Sequence, residues 1–246
     1  MDKTLKDKTL QDETPKKSAT SGSEARGTLW PASFLAGGID YTFHAFAGTS
    51  LHASRLPAGN ELFLWRLRNE WQLVSAMNGR DWLTLSERKR VKSHRNPAVG
   101  RQFGISRAVL RMVLSRMFCC EPVEVLLEDT PGGGVRINNT LDGRTVAVDI
   151  VHAGMWLVMA ASIGHVGLGL MSPLIGRAVE ESDKSTSHSQ KNARELSHAR
   201  TSQTFDAPLP QPAHWQTLDI PMPGQIRLAV TCERPVTCVT AFGWRR

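Results

Sequence analysis

The strongest constraint on the fold is a helical pattern that begins at Pro97. Apolar side chains recur after it at the spacing of a single helix face, at Phe103, Leu110, Val113, Leu114 and Met117. A shorter helix is predicted just before it, because Thr84-Leu85-Ser86-Glu87 has the pattern of a capping box. The chain is therefore expected to pack other elements against the apolar stripe of one long helix.

Short apolar runs on both sides of this helix predict strands. Glu61 to Arg68 reads as a mostly buried strand, and Val123 to Leu127 as another. Three runs with short separators predict an antiparallel meander; they are Val146 to Ile150, Met155 to Ser162 and Val166 to Met171. Ile226 to Cys232 and Val236 to Trp244 predict a last strand pair, turned at Glu233-Arg234-Pro235. The fold class is α+β, with antiparallel strands packed on a long helix.

Composition divides the chain into four segments. Residues 1–26 are polar and rich in Lys, Thr and Ser, which predicts a disordered tail. Residues 27–171 hold the predicted helices and most of the predicted strands. Residues 172–214 are expected to form a polar linker, within which Glu180 to Gln203 is either linker or an exposed helix. Residues 215–246 hold the closing strands.

Charge and composition narrow the classes of partner and the compartment. The net charge of +7 favours an acidic or phosphorylated partner. No recognised nucleic-acid motif is present, so a nucleic-acid partner is not expected. No apolar run reaches the roughly 18 residues of a membrane helix, and the first residues lack the apolar part of a secretory signal, so a cytoplasmic protein is expected. The spacing of the four cysteines suits neither zinc nor a disulfide framework.

Several motifs stand in the order found in one enzyme superfamily. The run Leu83 to Phe118 carries an Arg-rich turn and then an R-x-x-L-R pattern. The runs that follow are Thr130 to Ile137, Val148 to Gly154, Val166 to Met171 and Leu218 to Trp244. They resemble, in turn, the G-K-P loop, the N-x-S-H-S-G motif, the V-G-[VI]-D-[IL]-E motif and the closing strands of the phosphopantetheinyl transferases. The resemblance is to the surfactin-synthetase-activating type of that superfamily.

The resemblance implies both a fold and a reaction. The fold is a transferase-like pseudo-repeat with 27–171 as its first half and a shortened second half. In that second half the polar segment 172–214 replaces the usual helical segment. The reaction moves 4'-phosphopantetheine from coenzyme A to a serine of an acyl or peptidyl carrier protein. Coenzyme A is then the substrate, and transfer requires Mg²⁺.

The resemblance assigns two residues to coenzyme A binding. Arg90 corresponds to a family arginine that binds a phosphate of coenzyme A, and His152 to the motif histidine that contacts a phosphate. Arg107 and Arg136 are either further phosphate contacts or packing and solvated residues. The arginines off the apolar stripe of the long helix are expected, for the most part, on a solvated face; they are Arg101, Arg111 and Arg116.

This sequence departs from the family at the positions that supply the metal ligands and the base. Gly169 and Met171 stand where the family has its metal-binding Asp and Glu, and neither offers a carboxylate for Mg²⁺. Gly133 replaces the lysine of the G-K-P loop, and no match to the W-x-x-K-E-A helix is found. Asp149 and Glu195 are the nearest acidic residues, and neither is favoured as a replacement. No catalytic or metal-binding residue is assigned.

Two functions therefore stay open. The first is a divergent phosphopantetheinyl transferase. The second is a catalytically inactive relative that binds a carrier protein or acts as an accessory factor. The sequence does not decide the oligomeric state, the carrier protein, or whether a partner chain completes the site.

Overall fold

The computed structural model describes residues 38–44, 53–68, 79–130, 134–171, 183–203 and 215–244. The expected disordered tail, residues 1–26, lies outside these ranges, and so does Gly133 in the loop that resembles G-K-P.

Two helices form where the sequence predicts them. Helix α1, Leu85–Ser93, begins after Thr84, whose Oγ1 accepts from the backbone N of Glu87 at 3.2 Å. Glu87 Oε2 accepts in return from the backbone N of Thr84 at 2.8 Å, which completes the predicted capping box. Helix α2, Pro97–Phe118, follows an Asn96 N-cap and places its proline in the first turn, where a missing N–H breaks no helical hydrogen bond.

The described residues contain ten strands in three sheets, and a third helix α3, Asp183–Gln203, between the seventh and eighth strands. The strands are β1 (Asp40–His44), β2 (Glu61–Arg68), β3 (Leu127–Asp129), β4 (Val135–Ile137), β5 (Ala147–Ala153), β6 (Trp156–Ser162), β7 (Val166–Met171), β8 (Gln216–Ile220), β9 (Arg227–Cys232) and β10 (Cys238–Phe242). The sheets have the orders β1-β10-β2-β6-β5, β7-β9-β8 and β3-β4. The α+β class is confirmed, although β10 runs parallel to both of its neighbours.

The five-stranded sheet is covered on both faces. Phe63 and Trp65 of β2 point to one face and pack in a core with Leu114 of α2. Leu62 and Leu64 point to the other face and pack in a second core, shared with the three-stranded sheet. Alternate residues of a strand point to opposite faces, so a strand covered on both faces is apolar throughout. This explains why four consecutive apolar residues, Leu62 to Trp65, stand in β2 without polar residues between them.

Helix α3 covers the outer face of the three-stranded sheet, so the layers follow the order α2, five-stranded sheet, three-stranded sheet, α3. Within the segment predicted to be a linker or an exposed helix, the helix alternative is right. The face of α3 toward the sheet is nevertheless buried, since Ala193 and Ser197 have no exposed surface. Ser197 Oγ lies 2.6 Å from Thr231 Oγ1 of β9. Small and hydroxyl side chains make this contact, which is why the polar composition concealed it.

The predicted three-strand meander is only partly right. Strands β5 and β6 form an antiparallel pair, but β7 pairs with β9 of the other sheet. A side chain joins β5 to β7 instead, because the carboxylate of Asp149 accepts from the backbone N of Leu168 at 2.7 Å. The short separator after β6 thus carries the chain from one sheet to the next.

The last predicted strand pair is wrong in its partners. Both strands form, but β9 lies between β7 and β8, whereas β10 lies between β1 and β2. Each strand is buried over most of its length, so its apolar pattern does not identify its neighbour.

The strand predicted from Val123 to Leu127 is also misplaced. A 3₁₀ turn, Pro122–Glu124, occupies its first part, and β3 begins at Leu127. The turn is closed by Glu124 Oε2, which accepts from the backbone N of Glu121 at 2.8 Å. Over the part of the chain that the structure describes, no helix is long and apolar enough to cross a membrane.

Candidate functional site

Arg90 lies on the side of α1 that faces Phe103, in the second turn of α2. Its guanidinium is centred 4.2 Å from the middle of the Phe103 ring, a cation–π distance. One of its N–H groups donates to Asp129 Oδ2 of β3 at 2.7 Å. About half of each side chain is exposed, 55% for Arg90 and 52% for Asp129. The predicted phosphate-binding arginine is thus held at the surface by a carboxylate.

Arg107 of α2 contacts the other oxygen of the same carboxylate. Its Nη2 donates to Asp129 Oδ1, and its guanidinium also lies over the Phe103 ring, 5.2 Å from the centre. Only 5% of the Arg107 side chain is exposed. Burial lowers the pKa of Arg107, whereas the charges of Asp129 and Glu87 act to raise it. The predicted alternatives for Arg107 were phosphate binding or packing, and the described contacts are internal ion pairs.

Arg111 extends this cluster into the core. Its Nη2 donates to both carboxylate oxygens of Glu87, at 3.2 Å each, and its Nη1 donates to the backbone oxygen of Val125. Arg111 is 2% exposed, so the expectation of a solvated face is wrong for this residue. Its position off the apolar stripe points it at the buried carboxylate instead. Arg136, the other arginine left open, lies on β4 opposite Glu128 of β3.

His152 of β5 contacts α2. It points to the opposite face of the sheet from Asp149, which lies three residues earlier in the same strand. Its Nε2 lies 2.7 Å from Ser106 Oγ, which also lies 3.0 Å from the backbone oxygen of Gln102. The serine hydroxyl has one proton, so when it donates to Gln102 the histidine Nε2 must donate to the serine. His152 Nδ1 is buried and has no hydrogen-bond partner among the residues that the structure describes. Burial lowers the pKa of His152, which favours the neutral ring.

We expect His152→Gln to alter how stability depends on pH. Because the pKa of His152 is lower in the folded chain, the unfolded chain binds more protons once the pH is below about 6.5. The stability due to neutral His152 is therefore complete above about pH 6.5 and is lost as the pH falls below it. Denaturant unfolding on both sides of this pH should show a larger acid loss in the wild type than in the variant.

An equal acid loss in the two proteins would contradict this expectation. His94→Gln provides the matched control, since it replaces an exposed histidine in the turn between α1 and α2. It measures the general effect of exchanging histidine for glutamine.

The two residues assigned by the resemblance approach the same part of α2. Arg90 lies over Phe103, and His152 contacts Ser106, three residues further along the helix. Three residues rise about 4.5 Å, so both side chains meet one turn of α2. The described contacts do not join Arg90 directly to His152. Their role in binding stays a prediction.

A basic pocket of about 380 Å³ lies between α1 and the start of α2. It is lined by Arg80, Asp81, Leu83, Arg88, Val91, Lys92 and Arg101. Four cationic side chains against one carboxylate make it attractive to an anion, and its volume is within the roughly 300–1,000 Å³ of ligand pockets. The resemblance assigns only Arg90 in this helix. The four-residue spacing of Arg88 and Lys92, which places them on one face, is the sequence signal for the pocket.

Gly169, which the resemblance aligns with a metal-binding Asp, lies in β7 directly beneath α3. A Cβ at this position would lie 1.8 Å from the backbone oxygen of Ala193 and 2.4 Å from the backbone N of Ser197. Both distances are far below the roughly 3.5–4.0 Å of favourable contacts. The backbone of α3 thus fills the space that an Asp side chain would need. Two residues on, Met171 offers a thioether, a poor ligand for Mg²⁺. The residues present do not fit Mg²⁺.

The two acidic residues considered as replacements are engaged elsewhere. Asp149 is buried and accepts from Arg200 of α3 through both carboxylate oxygens. Glu195 is 65% exposed and lies 3.9 Å from Lys191 on the outer face of α3. Among the described residues, no group of three or more His, Cys, Asp or Glu side chains is placed to hold a metal ion.

Comparison of the chain with protein-family models and with curated proteins found no match. The candidate site therefore stands on the contacts of the described residues.

Proposed function

We propose that this chain is a relative of the phosphopantetheinyl transferases that binds coenzyme A through its phosphates without transferring the phosphopantetheine arm. The observation that carries the proposal is the contrast between the two sides of the candidate site. Cationic side chains are gathered where α1 meets α2, whereas the backbone of α3 fills the space that a metal-binding side chain at position 169 would need. A carrier protein remains the macromolecular partner that the resemblance implies.

The order of elements supports the resemblance in fold. Strands β2, β5 and β6 are arranged in the order β2-β6-β5, with the long helix α2 between the first and second of them in the chain. Strands β7, β8 and β9 repeat this arrangement as β7-β9-β8, with α3 in the corresponding place. All neighbouring pairs in both sets are antiparallel. We infer a pseudo-repeat whose second half keeps a helix, α3, within 172–214, the segment expected to replace the usual helical one.

The cationic side supports binding of a ligand with several phosphates. Coenzyme A carries a pyrophosphate and a separate 3′-phosphate, and guanidinium and ammonium groups bind phosphate oxygens by charge-assisted hydrogen bonds. Arg88 and Lys92 line the pocket on one flank of α1, and Arg90 lies on the other flank. The net charge of +7 would also speed the approach of an acidic ligand or carrier protein.

Binding should be measured by calorimetric titration of coenzyme A into the whole chain. We expect Arg88→Gln combined with Lys92→Gln to weaken binding by about tenfold or more for each lost phosphate contact. Lys191→Gln, a lysine on the exposed face of α3 with 73% exposure, is the matched control and should bind as the wild type does. Equal affinities in the wild type and the double variant would contradict binding at the pocket.

Transfer should be measured separately by the mass of apo carrier proteins incubated with the chain, coenzyme A and Mg²⁺. We expect no gain of phosphopantetheine on the carrier protein. A carrier protein that gains this mass would overturn the loss of transfer and restore the enzyme hypothesis. Absence of coenzyme A binding in the titration would overturn the binding proposal itself.

A further inference from the structure

Asp129 stands between two arginines that belong to different helices. Its Oδ2 accepts from Arg90 at 2.7 Å, and its Oδ1 accepts from Arg107. Both guanidinium groups also lie over the ring of Phe103, at 4.2 Å and 5.2 Å from its centre. The carboxylate therefore occupies a site that two arginines and an aromatic ring build together.

Among the residues that the structure describes, the charges in this cluster do not balance. Arg90, Arg107 and Arg111 carry three positive charges, and Asp129 and Glu87 carry two negative ones. One positive charge therefore remains without a negative partner in the cluster. Arg107 contributes to this surplus from a buried position, with only 5% of its side chain exposed. A phosphomonoester dianion in place of the Asp129 carboxylate would remove this surplus. A carboxylate monoanion in place of Asp129 would leave the surplus unchanged.

Asp129 is also placed to leave its position. It lies at the end of β3, in a ribbon of two short strands, and 52% of its side chain is exposed. Arg90 is exposed to a similar extent, at 55%. An exposed ion pair contributes little to stability, so the Arg90 contact resists exchange weakly. Arg107, by contrast, is held in the core and would remain in place.

We propose that Asp129 is an internal competitor for a phosphate group, which replaces its carboxylate between Arg90 and Arg107 when a phosphorylated ligand binds. The proposal rests on the proposed function only in taking the 3′-phosphate of coenzyme A as the natural ligand. Asp129 then sets the negative charge that a ligand needs in order to bind between the two arginines. Ligands with a dianionic phosphate displace it, and ligands with a single negative charge do not.

The test is a titration of inorganic phosphate, at constant ionic strength, into the wild type, Asp129→Asn and Glu128→Gln. Glu128→Gln is the matched control, since it removes the same charge from the neighbouring position of β3. We expect Asp129→Asn to bind phosphate about tenfold more tightly, because the competing anion is gone, and Glu128→Gln to match the wild type. Adding Arg90→Gln to Asp129→Asn should abolish the gain. An unchanged affinity in Asp129→Asn, or an equal gain in Glu128→Gln, would overturn the proposal.

A second measurement applies even when Asp129→Asn is poorly stable. Thermal unfolding in phosphate and in chloride, at equal ionic strength, should show that phosphate stabilises Asp129→Asn more than the wild type. Equal stabilisation of the two would overturn the proposal.

Titration with coenzyme A and with dephospho-coenzyme A identifies the source of the phosphate. Asp129→Asn should gain affinity for coenzyme A and not for the dephosphorylated form. If Asp129→Asn strengthens phosphate binding but coenzyme A does not bind, the proposed function is overturned and the role of Asp129 as a competitor is kept. If coenzyme A binds with an affinity that Asp129→Asn does not change, the role of Asp129 is overturned and the proposed function is kept.

Discussion

Replacement of Gly169 by alanine is expected to destabilise the chain by about 3 kcal/mol or more. The added Cβ would lie 1.8 Å from the backbone oxygen of Ala193 and 2.4 Å from the backbone N of Ser197. Neither obstacle is the flexible end of a side chain, so α3 itself must move away from β7. That movement would separate Ser197 Oγ from Thr231 Oγ1, which now lie 2.6 Å apart in the core. Denaturant unfolding measures the loss.

Gly59→Ala is the matched control for this substitution. A Cβ at position 59 would meet its nearest neighbour, Arg234 Nη1, at 3.8 Å, an ordinary contact. Its stability should stay within about 0.5 kcal/mol of the wild type. A similar small change in Gly169→Ala would show that α3 does not pack on β7 as described. Gly169→Asp would add a longer side chain against the same obstacle, so we do not expect it to create a Mg²⁺ site.

The sequence predicted local structure better than strand partners. The capping box at Thr84 and the proline at the start of α2 act within a few residues, so their signals are complete in the sequence. The partners of β7 and β10 depend on how two cores are stacked, and strands buried on both faces carry no mark of their neighbours. The helix α3 was obscured for another reason, because it packs through Ala193 and Ser197 and not through large apolar side chains.

The candidate site could be predicted only in part, because motifs are local in the sequence and contacts between distant residues are not. The order of the motifs singled out Arg90 and His152, and it showed that Gly169 and Met171 stand where the resemblance would require carboxylates. Asp129 could not be found in this way, since it lies 39 residues from Arg90 and follows a turn that was predicted as a strand. The obstacle at Gly169 was equally hidden. It arises from the backbone of a helix, which leaves no motif in the sequence.

Glu87→Gln is expected to cost about 3–5 kcal/mol, because it removes the charge that balances two buried arginines. Glutamine keeps the shape and the acceptor of the capping box, so the loss reports the ion pairs with Arg111, at 3.2 Å, and Arg107, at 4.0 Å. Glu195→Gln on the exposed face of α3 is the control and should change the free energy of unfolding by less than about 0.5 kcal/mol.

Denaturant unfolding of Glu87→Gln, Arg111→Met and the double variant completes the measurement. Since each single change leaves a buried group unpaired and the double change leaves fewer, the double variant should lose less than the sum of the two single losses. Additive losses would show that Glu87 and Arg111 do not interact in the folded chain.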